Sequence, residues 1–154
     1  MRVMRDKFVL AAFIILVLGA GTAIGLLTAP GAWYAALEKT PFNPPNWIFG
    51  PVWSVLYILI GIAGWRIWRI APAGGAMKIW WLQLALNFLW SPVFFAAHLL
   101  GVALVIILAL LATLIWFITT AASTDRIAAW LFVPYALWVA FATLLNASLW
   151  WLNA

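Results

Sequence analysis

A chain of 154 residues that is 69% hydrophobic, 17% aromatic and 7% charged, with a mean hydropathy of +1.15, has too little polar surface to enclose a water-soluble core. It belongs in a bilayer, and soluble enzyme classes are excluded. The formal net charge of +5 comes from bases at the edges of apolar runs rather than along one soluble face, which excludes nucleic acid as a partner; the absence of Cys excludes disulfides, thiolate chemistry and Cys-based metal sites.

Five apolar runs, about 8–28, 50–70, 78–97, 101–122 and 127–151, reach the roughly 18 to 25 residues that cross a hydrocarbon core about 30 Å thick as a helix. The sequence therefore predicts an all-α integral membrane protein, a single domain over 1–154 built as a bundle of five transmembrane helices. The first run follows Arg2, Arg5 and Lys7 and ends in small residues, as a secretory signal does, but its length predicts a retained helix. Gly21 and Gly25 on this run, with Gly61 and Gly64 on the second, form small patches that let helices approach closely, either between two copies of the chain or within one.

The connection between the first two runs, 29–49, contains WYAALEKTPFNPPNW. Pro41, Pro44 and Pro45 restrict its backbone, Asn43 can satisfy loop groups locally, and Trp33, Phe42 and Trp47 offer apolar cover. Those aromatics either close over something or rest on lipid. The other connections are short: RIAPAGGAMK, then His98 to Gly101, then STDR. Pro51 fits the first turn of the second helix, and Thr124 and Asp125 carry N-cap chemistry before the fifth. Seven of the eight bases fall on one face of a five-span topology and only Lys39 on the other, which predicts a cytoplasmic N-terminus and an external C-terminus.

Polar groups inside a bilayer are costly and tend to mark function. Asp6, Glu38 and Asp125 all lie at span edges or in loops, so no proton relay or ion pathway is expected. The intramembrane polar residues are neutral. Gln83, Asn87, Trp90 and Phe94 recur along one stripe of the third span; Tyr135, Trp138, Ala142 and Asn146 do so on the fifth; Trp53 and Tyr57 lie one turn apart on the second. One reading is interhelical glue and interfacial belts. The other is convergence on a cavity walled by indole, phenol and carboxamide, suited to a flat, largely apolar ligand. Of the thirteen Trp, Trp80, Trp81, Trp150 and Trp151 lie near predicted span ends and read as belt residues, as do Trp65 and Trp68. His98 is the only histidine and reads as an interfacial or capping residue rather than an iron ligand. No metal site is expected.

The pattern WY…L.K.PFNPP.W…W..LY, followed by Q…N..W.P.FF and A.WL..PY..W..FA..LN, resembles the TspO/MBR family of tryptophan-rich sensory and translocator proteins from about Trp33 to Asn146. The resemblance implies a five-helix bundle, homodimeric, with a pocket under the connection between helices 1 and 2, which becomes its lid. It implies a receptor, sensor or transporter for porphyrins such as protoporphyrin IX or haem, with no cofactor required. On that reading the ligand-binding residues are Trp33, Phe42, Trp47, Trp53, Tyr57, Gln83, Asn87, Trp90, Phe94, Tyr135, Trp138, Ala142 and Asn146. Two alternatives stand beside it. In one, Trp53 and Trp138, which match family tryptophans implicated in photochemical porphyrin breakdown, serve a light- and oxygen-dependent degrading enzyme. In the other, the chain is a structural membrane protein without ligand. The end of the fifth span, ATLLNASLWWLNA, lacks the Tyr and basic residue of the sterol-recognition motif of animal members, so high-affinity sterol binding is not expected; the localisation expected is that of a bacterial-type multi-pass membrane protein.

Overall fold

The computed structural model describes all 154 residues, and it contains five helical stretches long and apolar enough to cross a membrane: Arg2–Leu27, Asn46–Ile70, Gly75–Ala96, Leu100–Ala121 and Arg126–Asn153. With the family match given below, they make the chain an integral multi-pass membrane protein. Helix α1 (Arg2–Leu27) is followed by a short helix α2 (Ala32–Ala36) in the lid, a 3-10 turn at Asn46–Ile48, and then α3 (Phe49–Ile70) and α4 (Gly75–Ser91). A π-helical turn, Pro92–Ala96, extends α4; α5 (Leu100–Ala121), α6 (Arg126–Leu131) and α7 (Val133–Asn153) complete the chain.

Three features depart from uniform spans joined by loops. The lid is partly helical, because Lys39 Nζ donates to the carbonyls of Tyr34 at 2.6 Å and Leu37 at 2.9 Å and so satisfies the end of α2. Pro92 and Pro134 interrupt the third and fifth spans, since proline brings no N–H and its ring crowds the preceding turn. After Pro92 the backbone closes wider turns, with Ala97 N–H donating to Pro92 C=O at 2.9 Å. Before Pro134 the helix breaks at Phe132, which separates α6 from α7.

The N-cap expected before the fifth span is present: Asp125 Oδ1 accepts from the amides of Ile127 at 2.9 Å and Ala128 at 3.1 Å. Its other oxygen meets Arg66 at 2.9 Å, tying α3 to the start of α6. Burial pushes this carboxyl up, but the hydrogen bond from Arg66, the two amides and the guanidinium charge outweigh it and hold Asp125 below the usual carboxylate range. Arg69 pairs with Asp6 at 3.4 Å at the same end of the bundle. This is the basic end; the lid covers the other.

Around the bundle, α1 packs along α3, α3 against α6, α7 along α5, and α5 along α4, which returns to α1. The second span is thus held close to the fifth at the basic end by α6, whereas α3 barely touches α7. The side chains that are most completely buried, among them Ile60, Ile67, Trp80, Leu114, Phe117 and Phe132, fill that basic-end half. The lid-end half is left open.

At the solid end one tryptophan departs from expectation, and the glycines take one of the two roles open to them. Trp80 is a core residue rather than a belt residue: it is fully buried, and its indole N–H donates to Ile60 C=O at 3.0 Å. It fits because position 64 has no Cβ; one added to Gly64 would fall inside the Trp80 ring. Gly61 in the same way lets α3 approach the backbone of α1, where an added Cβ would lie 2.9 Å from Ile14 Cα, and Gly21 receives the ring of Tyr57. Between helices in lipid no hydrophobic force acts, so close backbone approach and dispersion supply the attraction. These glycines therefore serve packing within one chain. Trp81, Trp150 and Trp151 are exposed, as a belt requires, whereas Trp65 and Trp68 are half-buried against the core.

Candidate functional site

The open half contains a cavity of about 440 Å³. Every membrane span contributes to its wall: Gly21, Ile24, Gly25 and Thr28 from α1, Gly50, Trp53, Ser54 and Tyr57 from α3, Asn87, Trp90 and Ser91 from α4, Ile107 and Leu110 from α5, and Ala142, Leu145, Asn146 and Leu149 from α7. Phe94 and Phe95 of the π turn complete the side, and Pro30, Tyr34, Asn43 and Asn46 reach it from the lid. No Lys, Arg, Asp, Glu or His lines it. It is an apolar, aromatic space with neutral hydrogen-bonding groups, the composition that suits a flat ring system with few polar edges.

The intramembrane amides are spent on its frame. Asn87 Nδ2 donates to Tyr135 Oη at 2.6 Å, and Tyr135 Oη–H donates on to Gln83 Oε1 at 2.9 Å. This chain joins α4 to α7 beneath the cavity. Tyr57 Oη approaches Asn87 Oδ1 at 3.5 Å, the limit of a useful bond, so that phenol is the polar group on the floor with capacity to spare. Higher up, Trp90 Nε1 donates to Asn146 Oδ1 at 3.0 Å, and Asn146 Nδ2 donates to Leu100 C=O at 2.9 Å, which fixes the indole of Trp90 against the wall. Thr28 and Ser91 hydroxyls meet at 2.6 Å and join the end of α1 to the end of α4 at the rim.

Of the residues expected at the site, Trp53, Tyr57, Asn87, Trp90, Phe94, Ala142 and Asn146 line the cavity. The other six do not. Gln83 and Tyr135 are fully buried below the floor, where they support Asn87. Trp138 shares the face of α7 that carries Ala142, but one turn nearer the basic end; its ring meets Phe49 edge-on at 5.9 Å and bridges α3 to α7, and its buried N–H has no partner. Trp33 lies on α2, stacked on His98 at 4.0 Å with an interplanar angle of 11°, so it fastens the lid from outside. Phe42 and Trp47 are 48% and 74% exposed and face away from the space they were expected to cover. Tyr34, which is buried, and Asn43, which donates to its hydroxyl at 3.2 Å, take that place.

The α1 wall, with Gly21, Gly25 and Thr28, was missed by sequence reasoning, although their spacing of four and three marks one helical face. An added Cβ on Gly25 would meet nothing within 4 Å, so this glycine enlarges the cavity rather than a helix contact. His98 is exposed and adopts φ 58, the left-handed turn that reverses the chain before α5. It does not line the cavity, and no cluster of His, Cys, Asp or Glu able to hold a metal ion occurs anywhere in the chain.

Compared with known proteins, residues 12–152 match the TspO/MBR family. Among individual relatives, protein CrtK of Rhodobacter capsulatus is 40% identical over 141 residues, covering 85% of this chain and 84% of that protein. The tryptophan-rich sensory protein of Cereibacter sphaeroides is 36% identical over 133 residues, 83% of this chain and 81% of the relative. The human translocator protein is 36% identical over 132 residues, 77% of this chain and 73% of the relative. A five-span bundle with its amides bonded across α4 and α7, a cavity under a proline-rich lid, and a match over nearly the whole length agree with one another, and the chain belongs to the TspO/MBR family of membrane sensors and translocators.

Proposed function

We propose that this chain is a membrane receptor or transporter that binds a flat tetrapyrrole, protoporphyrin IX being the reference ligand, in the cavity beneath the lid. The observation that carries this reading is the uncharged wall in which Trp53, Tyr57, Trp90 and Phe94 offer aromatic faces around about 440 Å³. Porphyrin enters as ligand, and no resident cofactor takes part. Binding rather than catalysis is favoured by the wall itself: it presents no general base, no nucleophile beside a base and no metal-ligand set.

Titration of the purified protein with protoporphyrin IX, followed by Trp fluorescence in the dark, tests the reading. Wild-type protein is expected to be quenched saturably. Trp53→Phe keeps a flat apolar wall and removes the indole N–H, so affinity is expected to fall by no more than about 1 to 2 kcal/mol. Absence of quenching in the wild type overturns the proposal. Loss of the Soret band that needs light, and that Trp53→Phe suppresses, would instead support the degrading enzyme.

The distribution of bases supports a cytoplasmic N-terminus with the lid external, and the family resemblance supports a homodimer. Reporter fusions placing both termini on one side would refute the first, and crosslinking in native membranes that yields only monomer would refute the second.

A further inference from the structure

The lid is tied to the bundle by a side chain from the other end of the sequence. Asn153, in the last turn of α7, accepts the Glu38 N–H at 2.9 Å through Oδ1 and donates to the Glu38 C=O at 3.0 Å through Nδ2. Its second N–H donates to Leu149 C=O at 2.8 Å. A carboxamide carries one acceptor oxygen and two N–H donors, and all of them are engaged here. Bonding both backbone groups of one residue copies the exchange between paired residues of antiparallel strands. An Asp would lack the donor, and a reversed amide would set N–H against N–H.

This attachment continues into the cavity wall. Leu149 lines the cavity and packs in one cluster with Tyr34 of the lid and Phe94 of the π turn. Within the lid, Lys39 closes the end of α2 and Asn43 holds the Tyr34 hydroxyl, so residues 32–43 are joined into one body. Besides Tyr34, that body is fastened by the Trp33–His98 stack and by Asn153.

We propose that Asn153 is a positioning residue that latches the lid over the cavity, and that its release gates ligand entry and exit. The gating part rests on the reading of the cavity as a porphyrin site; the latch itself can be tested without ligand. Asn153→Ala is expected to raise both the association and dissociation rates of protoporphyrin IX by about tenfold, the scale of two net hydrogen bonds, with Kd changed by less than about threefold. Hydrogen exchange is expected to speed up not only at Glu38 but at Leu37 and Asn43, whose amides bond inside the lid, with α3 unchanged. Asn153→Asp, which keeps the acceptor and sets a carboxylate against the Glu38 carbonyl, should behave like Asn153→Ala. A residue that merely contributed stability would change the melting temperature or Kd without accelerating both rates. Faster exchange confined to Glu38 overturns the latch. Faster lid exchange with unchanged rates overturns the gate, and wild-type protein that fails to bind porphyrin defeats the ligand reading while the exchange result still decides the latch.

Discussion

Replacing Ala142 by Phe is expected to weaken protoporphyrin IX binding by about ten- to a hundredfold, which corresponds to an overpacking cost of roughly 1 to 3 kcal/mol. Ala142 is buried on α7 and lines the cavity, next to Leu145 and Asn146 on the wall braced by Trp90. The added ring has one place to go, the space the ligand would occupy. Gly25→Leu approaches the same space from α1, where an added Cβ meets no atom within 4 Å; it should impair binding comparably while improving helix propensity by roughly 1 kcal/mol. Both are measured by dark fluorescence titration alongside thermal unfolding. Wild-type affinity in both variants would show that the ligand binds elsewhere.

At the solid end, Gly64→Leu is expected to abolish the folded bundle. The new side chain would enter the volume of Trp80, whose indole is fully buried, bonded to Ile60 C=O and set edge-on to Phe13 at 5.3 Å. Moving the indole forfeits that bond and contact, and moving the helices parts α3 from α4, so the cost is at least the roughly 3 kcal/mol at the upper end of overpacking. Gly61→Leu meets backbone of α1, which cannot rotate aside. Gly19→Leu, at an exposed position with nothing within 4 Å, is the matched control. Yield and melting temperature in detergent decide the matter. A Gly64→Leu protein that melts with the wild type and only changes its oligomeric state would mean that these glycines belong to an interface between copies.

The π turn at Pro92 and the break at Phe132 illustrate a limit on what periodicity can reveal. Proline announces that a helix must adjust, and both prolines lie in the expected spans. Whether the chain bends, widens a turn or breaks depends on what the neighbouring helices can accept. The wider turn after Pro92 is accompanied by the burial of Phe94 and the placement of both Phe94 and Phe95 on the cavity wall. A uniform 3.6-residue register would not describe that turn.

Along regular helix the polar and aromatic stripes reach the wall where the cavity exists and run on past it where it ends. Asn87, Trp90 and Phe94, with Ala142 and Asn146, lie on facing stripes and reach the wall; Gln83 and Tyr135 lie on the same stripes but deeper, and the ring of Trp138 packs behind Phe49, which takes the place on the wall. Spacing assigns a face, since side chains three and four residues apart share one. It carries no information about how far along that face two helices remain apart. In the lid the difficulty is greater, because irregular backbone has no period, and nothing local distinguishes Tyr34, which faces inward, from Trp47, which is exposed.

What the sequence by itself determined was the solvent, the number of spans and the family, because hydrocarbon requires each crossing segment to be a long apolar helix and leaves polar residues few and conspicuous. Tertiary structure alone decided the depth of the cavity, the inward choice among the lid aromatics, and the roles of Trp80 and Asn153. Each of these depends on a partner far away in the chain: Gly64 makes room for Trp80, Glu38 receives Asn153 across 115 positions, and α6 holds the second and fifth spans together at one end so that they stand apart at the other.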